Sequence, residues 1–325
     1  MIDYRYLSAG VRGLMNAHRA GTMAGHLGAA VAAGYFFGED ASGEGAAGLL
    51  DGPLPEAVAR GVEAELDRVV AGEEAIWFNA QKAGLTPGDL FEGDFGEGEA
   101  AGGCDAIVEA LMTAGGLLRQ SGHNVIFASI AVRALKDHPQ FATPAVVEGV
   151  CKLMRAFRNQ AEGRGFYGKA AGWKSGQDVD LSDTPEPPKY DTFEGLADAI
   201  LRELPATAGV RKQGFGGLWH LTNHAAAVIE LARYGYRAEA ASLIPAHRHH
   251  LHLWHSLPDV ESELGPVVAA DQSPWTPAYW DGPLKRDSAR LTHRIKTLYG
   301  YQIVRATGSP KLRTAADRAF LSLMD

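Results

Sequence analysis

From Ala24 to Gly38 the chain reads AGHLGAAVAAGYFFG, small and apolar on nearly every side of a helix. A helix without a polar face must be buried inside a larger assembly, so the rest of the chain has to supply the elements that cover it. What it supplies is helical periodicity. Residues 54–84 restart with Pro55 at a helix entrance and acids in the first turn, both favourable there. Val58, Val62, Leu66, Val69 and Val70 then recur at three- to four-residue steps, a helical stripe. The same reading predicts helices over 105–120, 121–139 with Ser121 as cap, 143–163 with Thr143 as cap and Pro144 at the first position, 190–206, 221–236, 237–257, 290–306 and 311–324. No run alternates with the period of a strand, so the expected class is all-α: a bundle of helical hairpins, with an α/α toroid around a central pocket as one possible arrangement.

Two segments break the rhythm. Residues 92–103 carry Glu92, Asp94, Glu97 and Glu99 in a glycine-rich loop, whose spacing does not fit a calcium-binding loop. Residues 163–189 hold three prolines and scattered aromatics, which predicts a long irregular connection or a lid. Similar helix pairs lie on both sides of it, so residues 1–325 are expected to form a single domain. Lys and Arg number 31 against 39 Asp and Glu, a net charge of −8. That balance argues against nucleic-acid and polybasic membrane contacts. No stretch is long and apolar enough to span a bilayer, and the first residues, with Asp3, do not resemble a secretory signal. Cys104 and Cys151 are too few for a disulfide framework. A cytoplasmic setting is the expectation.

Histidine is the residue that points to chemistry. His26, His123 and His220 each precede a run of small and apolar residues, and the spacings 123 − 26 and 220 − 123 are both 97. His224 follows one turn after His220. Helix entrances at equivalent places in a repeating array point toward one end, so these imidazoles are expected to line a common pocket, with capping or core-edge histidines as the plainer reading. His293 and Lys296, three apart, share a helix face, where a lysine can have its pKa lowered or can hold an anionic oxygen. The run AHRHHLHLWHS places His247, His249, His250, His252 and His255 on one helix. It lacks a zinc-protease motif and a nearby acid, so no metal is favoured there and a polar helix face is expected. DQSPWTPAYWDGP offers Trp275, Tyr279 and Trp280 as an aromatic substrate wall, or as packing. GFGG at 214–217 follows no strand and lacks the full dinucleotide-binding spacing.

The pieces GHLGAAVAAGYFFG, GHNVIFASIAVRAL, HLTNHAAAVIELARYG, THRIKTLYGYQIV and RTAADRAFLSL, in that order and over about half the chain, resemble the questin oxidase-like family. The His-x-Ile-Lys element is the most characteristic, carried here by His293, Ile295 and Lys296. The middle element departs from the family pattern at Phe127, Ser129 and Ile130. The resemblance implies an all-helical oxygenase that opens a ring of a polycyclic aromatic ketone in a Baeyer–Villiger-type step, with NADPH as reductant. On that reading His26, His123, His224, His293 and Lys296 are expected to be catalytic, as bases and anion-stabilising donors. His220, Trp219, Trp275, Tyr279 and Trp280 are expected to bind the aromatic substrate. No metal is assigned, and a homodimer is compatible. A non-redox helical enzyme using the same histidines, with or without a metal, and a non-catalytic helical binding protein are the alternatives.

Overall fold

The small apolar helix around His26 is buried because other helices surround it. In the computed structural model, residues 2–42, 53–74, 84–286 and 289–325 are described. Most of the glycine-rich loop expected at 41–54 and the end of the helix expected over 54–84 lie outside them. Helices account for 65% of the chain. In chain order the longer ones are α1 (Tyr4–Asn16), α2 (Gly25–Ser42), α3 (Glu56–Val70), α4 (Gly103–Met112), α5 (His123–Asp137), α6 (Pro144–Ala156), α7 (Phe193–Thr207), α8 (Gly217–Arg233), α9 (Arg237–Ser256), α10 (Arg290–Thr307) and α11 (Pro310–Phe320).

The four helices with a histidine at their entrance, α2, α5, α8 and α10, pack on one another in a closed circuit. Their first turns meet, as the histidines show below. Their later residues meet too: Arg133 of α5 contacts Asp40 of α2 and Glu230 of α8, and Tyr299 of α10 donates to Glu230. Two such meetings along the same four helices make the bundle parallel. Helices α1 and α3 cover α2, α4 covers α5, α7 and α9 cover α8, and α11 lies on α7. The buried apolar side chains form one continuous cluster. The all-α class and the helical bundle are therefore as expected. The packing is that of a four-helix centre with an outer layer, and it does not establish a toroid.

Small residues set how close the layers come. Gly28 of α2 lies against the Leu14 backbone, and a Cβ on Gly13 would come within 2.6 Å of the Gly28 Cα. Thr143 caps α6 with Pro144 after it, as the sequence predicts, and its hydroxyl accepts from the Val146 amide at 3.4 Å. Ser121 does not cap α5. It has φ 57° inside a short 3-10 turn, and Gly122 stands at the cap with no side-chain bond. The absence of strands is corrected in one place. Residues Arg164–Phe166 (β1) and Trp173–Ser175 (β2) pair antiparallel within the connection 163–189. Gly165 bridges further to Gly214, which pins this hairpin beside the entrance to α8. Among the described residues no helix is long and apolar enough to cross a membrane.

Candidate functional site

Each imidazole of the central cluster is placed by the first turn of its helix. His26 is the second residue of α2, His123 the first of α5, and His220 and His293 the fourth of α8 and α10. Because the helices run parallel, these turns share a level, and the rings pack in a circuit. Centroids lie 4.4 Å apart for His26–His123, 4.3 Å for His123–His220, 4.8 Å for His220–His293 and 4.9 Å for His293–His26. All four are buried, His26 completely.

Three of these rings are oriented by the same device. The Nδ1 of His123 faces the Gln120 carbonyl, that of His220 the Ser121 carbonyl at 3.1 Å, and that of His293 the Ala289 carbonyl at 2.8 Å. A carbonyl only accepts, so each Nδ1 carries the proton and each Nε2 is left as a lone pair. The three Nε2 atoms point inward. His26 is fixed differently: Lys296 Nζ meets its Nδ1, and its Nε2 lies 2.6 Å from His123 Nε2. With Lys296 charged, His26 holds its proton on Nε2 and gives it to His123; with Lys296 neutral, the proton sits on Nδ1 and the Nε2 of both rings is free to ligate. In the His220–His293 pair both rings use Nδ1–H on carbonyls, so as neutral groups they bring two Nε2 lone pairs to 2.7 Å.

A cation between those nitrogens satisfies both lone pairs, and it can be a proton or a metal ion. Burial opposes a charge of either kind here, and the four rings are held neutral. Burial, with the Lys296 ammonium next, holds His26, His123 and His293 well below the usual imidazole range. His220 is lowered by burial and by the charge of His123. Lys296 is itself pushed down to about 7 by burial, against the opposing pull of Glu74. Glu74 Oε1 and Oε2 each accept from an amide at the start of α10, Leu291 and Thr292, both at 3.0 Å. Neutral imidazoles whose Nδ1–H is anchored on a backbone carbonyl and whose Nε2 converges are the usual arrangement of metal ligands. The ligand nitrogens of His26, His123 and His220 lie within 4.8 Å of one another.

This cluster closes one end of a cavity of about 750 Å³. His123, His220 and His293 reach it from the floor. Trp219 stacks on His293, with centroids 5.0 Å apart and planes at 20°. Phe215, Trp254 and Trp173 add aromatic wall, and Gly163, Arg164 and Trp173 of the irregular connection complete one side. The GFGG segment is the turn that starts α8: Gly214, Phe215, Gly216 and Gly217 all have positive φ. A Cβ on Gly216 would overlap the His220 ring.

Of the sequence-predicted site residues, His26, His123, His293 and Lys296 come together. His220, expected only to touch substrate, is a full member of the cluster. His224 is not. It lies one turn deeper, with its Nδ1 3.3 Å from His250 Nδ1, while His250 Nε2 donates to the Phe215 carbonyl at 2.7 Å. Trp219, expected to bind substrate, lines the cavity. Trp275, Tyr279 and Trp280 do not. They are buried in packing, where the Tyr279 hydroxyl donates to the Met324 carbonyl at 2.7 Å and Trp280 Nε1 to Pro274 at 2.7 Å. The 247–255 histidines each take a separate partner: Tyr190 and Leu221 for His247, Glu162 for His249, Thr184 for His252 and Glu203 for His255. The polar helix face expected there is half right, because His247 and His250 are fully buried. Comparison with protein families, with curated proteins and with solved structures finds no match to this chain.

Proposed function

We propose that this chain is an oxidoreductase that uses oxygen on a planar aromatic substrate, as in the questin oxidase-like enzymes it resembles, with a transition metal held by His26, His123, His220 and His293. The observation that supports this most is the convergence of the ligand nitrogens of His26, His123 and His220 within 4.8 Å of one another, with His293 Nε2 2.7 Å from His220 Nε2. An all-imidazole donor set suits iron, copper or zinc. A redox-active ion there supplies the one-electron steps that let an electron-rich ring react with oxygen.

The chain's own residues do the rest. Trp219, stacked on His293, offers a flat face that brings an aromatic ring up to the cluster. Burial keeps bulk water from the imidazoles. Lys296, beside His26, holds or releases a proton at its Nζ and balances charge that develops on a substrate oxygen. If one oxygen atom enters the product and the other leaves as water, two electrons must come from outside, and a reduced nicotinamide is the donor the resemblance implies.

The test is oxygen uptake by protein loaded separately with iron, copper and zinc, given a hydroxylated polycyclic aromatic ketone with and without NADPH. Uptake with iron or copper, absent in His220→Ala and His293→Ala, is the expected result. Turnover that needs only zinc and consumes no oxygen would replace this reading with the non-redox one. Turnover untouched by either substitution would remove both.

A further inference from the structure

The walls of the cavity carry a charge pattern opposite to that of the chain. The protein has a net charge of −8, yet among the described residues the cavity is lined by Arg164, Arg211, Lys212 and Arg290 and by no carboxylate. Arg164 is exposed and the other three are half-buried, whereas the histidines are buried. The cations therefore stand toward the mouth and the imidazoles at the floor.

Neither Arg211 nor Lys212 forms an ion pair among the described residues, although Glu203 and Asp259 act on Lys212 from a distance. Lys212 Nζ donates to the carbonyls of Trp254 at 3.1 Å and His255 at 3.2 Å, and lies 5.3 Å from the Trp254 ring centroid. Arg211 has its Nε buried without a hydrogen-bond partner among the described residues. Positive side chains in a half-closed cleft attract an anion more strongly than they would in open water, because low-dielectric walls focus their field. The first turns of α5 and α8 add to it. Both helices open on the cavity without a capping side chain, and helix starts carry partial positive charge. The aromatic surfaces of Trp219, Trp254 and Trp173 lie in the same cavity.

Resting on the proposal that this cavity is the substrate site, we infer that its ligand is an aromatic carboxylate, with the ring on the Trp219 face and the carboxylate at Arg211 and Lys212. The planar fork of arginine matches a carboxylate, and the lysine beside it supplies a second charge. A neutral aromatic of the same shape leaves those cations facing an uncharged group and binds less well.

The experiment uses metal-free protein, so that it does not depend on redox chemistry. Quenching of tryptophan fluorescence is titrated with 3-hydroxy-2-naphthoate and with its uncharged methyl ester. The carboxylate is expected to bind about tenfold more tightly, with the preference shrinking as salt rises. The double variant R211Q/K212Q, checked for an unchanged melting transition, is expected to lose most of that preference while still binding the ester; the single variants serve if the double does not fold. Equal or tighter binding of the ester, a preference that survives both substitutions, or no binding of either probe would overturn the inference. Selective carboxylate binding without oxygen uptake would instead keep the ligand class and remove the oxidoreductase reading.

Discussion

Deleting one imidazole from the cluster tests the donor argument through energetics. In His220→Ala the Ser121 carbonyl loses its Nδ1–H and His293 loses the nitrogen 2.7 Å away. In an ordinary core such a truncation costs about 2–5 kcal/mol for the cavity it opens. The sharper quantity is the response to metal. An ion that binds only the folded state stabilises it by about 2.7 kcal/mol at a free concentration one hundred times its dissociation constant. For a chain of this length each kcal/mol moves the melting temperature by roughly 2 °C, the low end of the usual range. Wild-type protein should therefore melt roughly 5 °C higher with iron, copper or zinc than in chelator. His220→Ala and His293→Ala should respond by less than about a fifth of that. His247→Ala is the control: it also removes a fully buried imidazole, from Tyr190 and the Leu221 carbonyl, and should keep the whole response. An equal rise in His220→Ala, or none in wild type with any of the three ions, refutes the reasoning.

At the other end of the bundle, Glu230 is buried beside Arg133 and raised to about 8, by burial first and then by Asp40 and Asp137, with Arg133 and Arg233 opposing. A carboxyl whose folded-state pKa is raised contributes stability below its unfolded value near 4.5, and that contribution is lost as pH climbs toward 8. Melting measured from pH 5 to 8 should carry a falling slope of up to about 1.4 kcal/mol per pH unit from this group, and Glu230→Gln should flatten it; an unchanged slope removes the assignment. Gly216→Ala has φ +71° and the His220 ring against it, so metal stoichiometry should drop, while Gly209→Ala, which meets nothing within 4 Å, should leave it intact. Trp219→Ala should weaken aromatic ligands by roughly 2- to 12-fold, the value of one stacking pair. Tyr279→Phe should cost about 1–2 kcal/mol of stability through the lost Met324 and Arg294 bonds and leave ligand titrations unmoved.

The entrance histidines were legible because the feature that makes them functional is local. A histidine before a run of small residues marks a buried helix start, and repetition at 97 residues marks starts at one level. The error over His224 is equally instructive. His220 and His224 lie one turn apart on the same face of α8, so only the position of the helix start decides which one reaches the common level. The glycine turn 214–217 starts α8 at Gly217, earlier than the apolar pattern suggests, and that raises His220 into the cluster while His224 sinks to His250. The aromatic segment around Trp275 could not be placed by composition, since a pocket wall and a core staple need the same residues. Its placement depends on the Met324 carbonyl and on Arg294, contacts made across the fold. Glu74 and the cavity cations were missed for a related reason: they sit in irregular segments or at element ends, and no periodicity reports where those dock. The one available signal for Arg211 and Lys212 was their closeness to GFGG, which matters only once Gly214 is known to bridge Gly165.

Parallel packing of α2, α5, α8 and α10 ties the two ends of the bundle together electrostatically. Four helix starts at one level bring four partial positive charges to the histidine end, and four helix ends bring partial negative charge to the other. At the far end the compensation is a buried guanidinium: Arg133 lies among Asp40, Asp137 and Glu230. At the histidine end the described residues answer with the carboxylate of Glu74 at the start of α10, with neutral rings and with a lysine that burial brings down to about 7. Burial first, and neighbouring positive charge after it, disfavours imidazolium there. An electropositive floor of that kind opposes a metal ion, and imidazolium ligands would oppose it further. Neutral imidazoles, three of them with Nδ1 anchored on a carbonyl, offer electron pairs without adding positive charge. An anionic ligand above the metal would then complete the balance, so the positive mouth and the imidazole floor answer the same requirement.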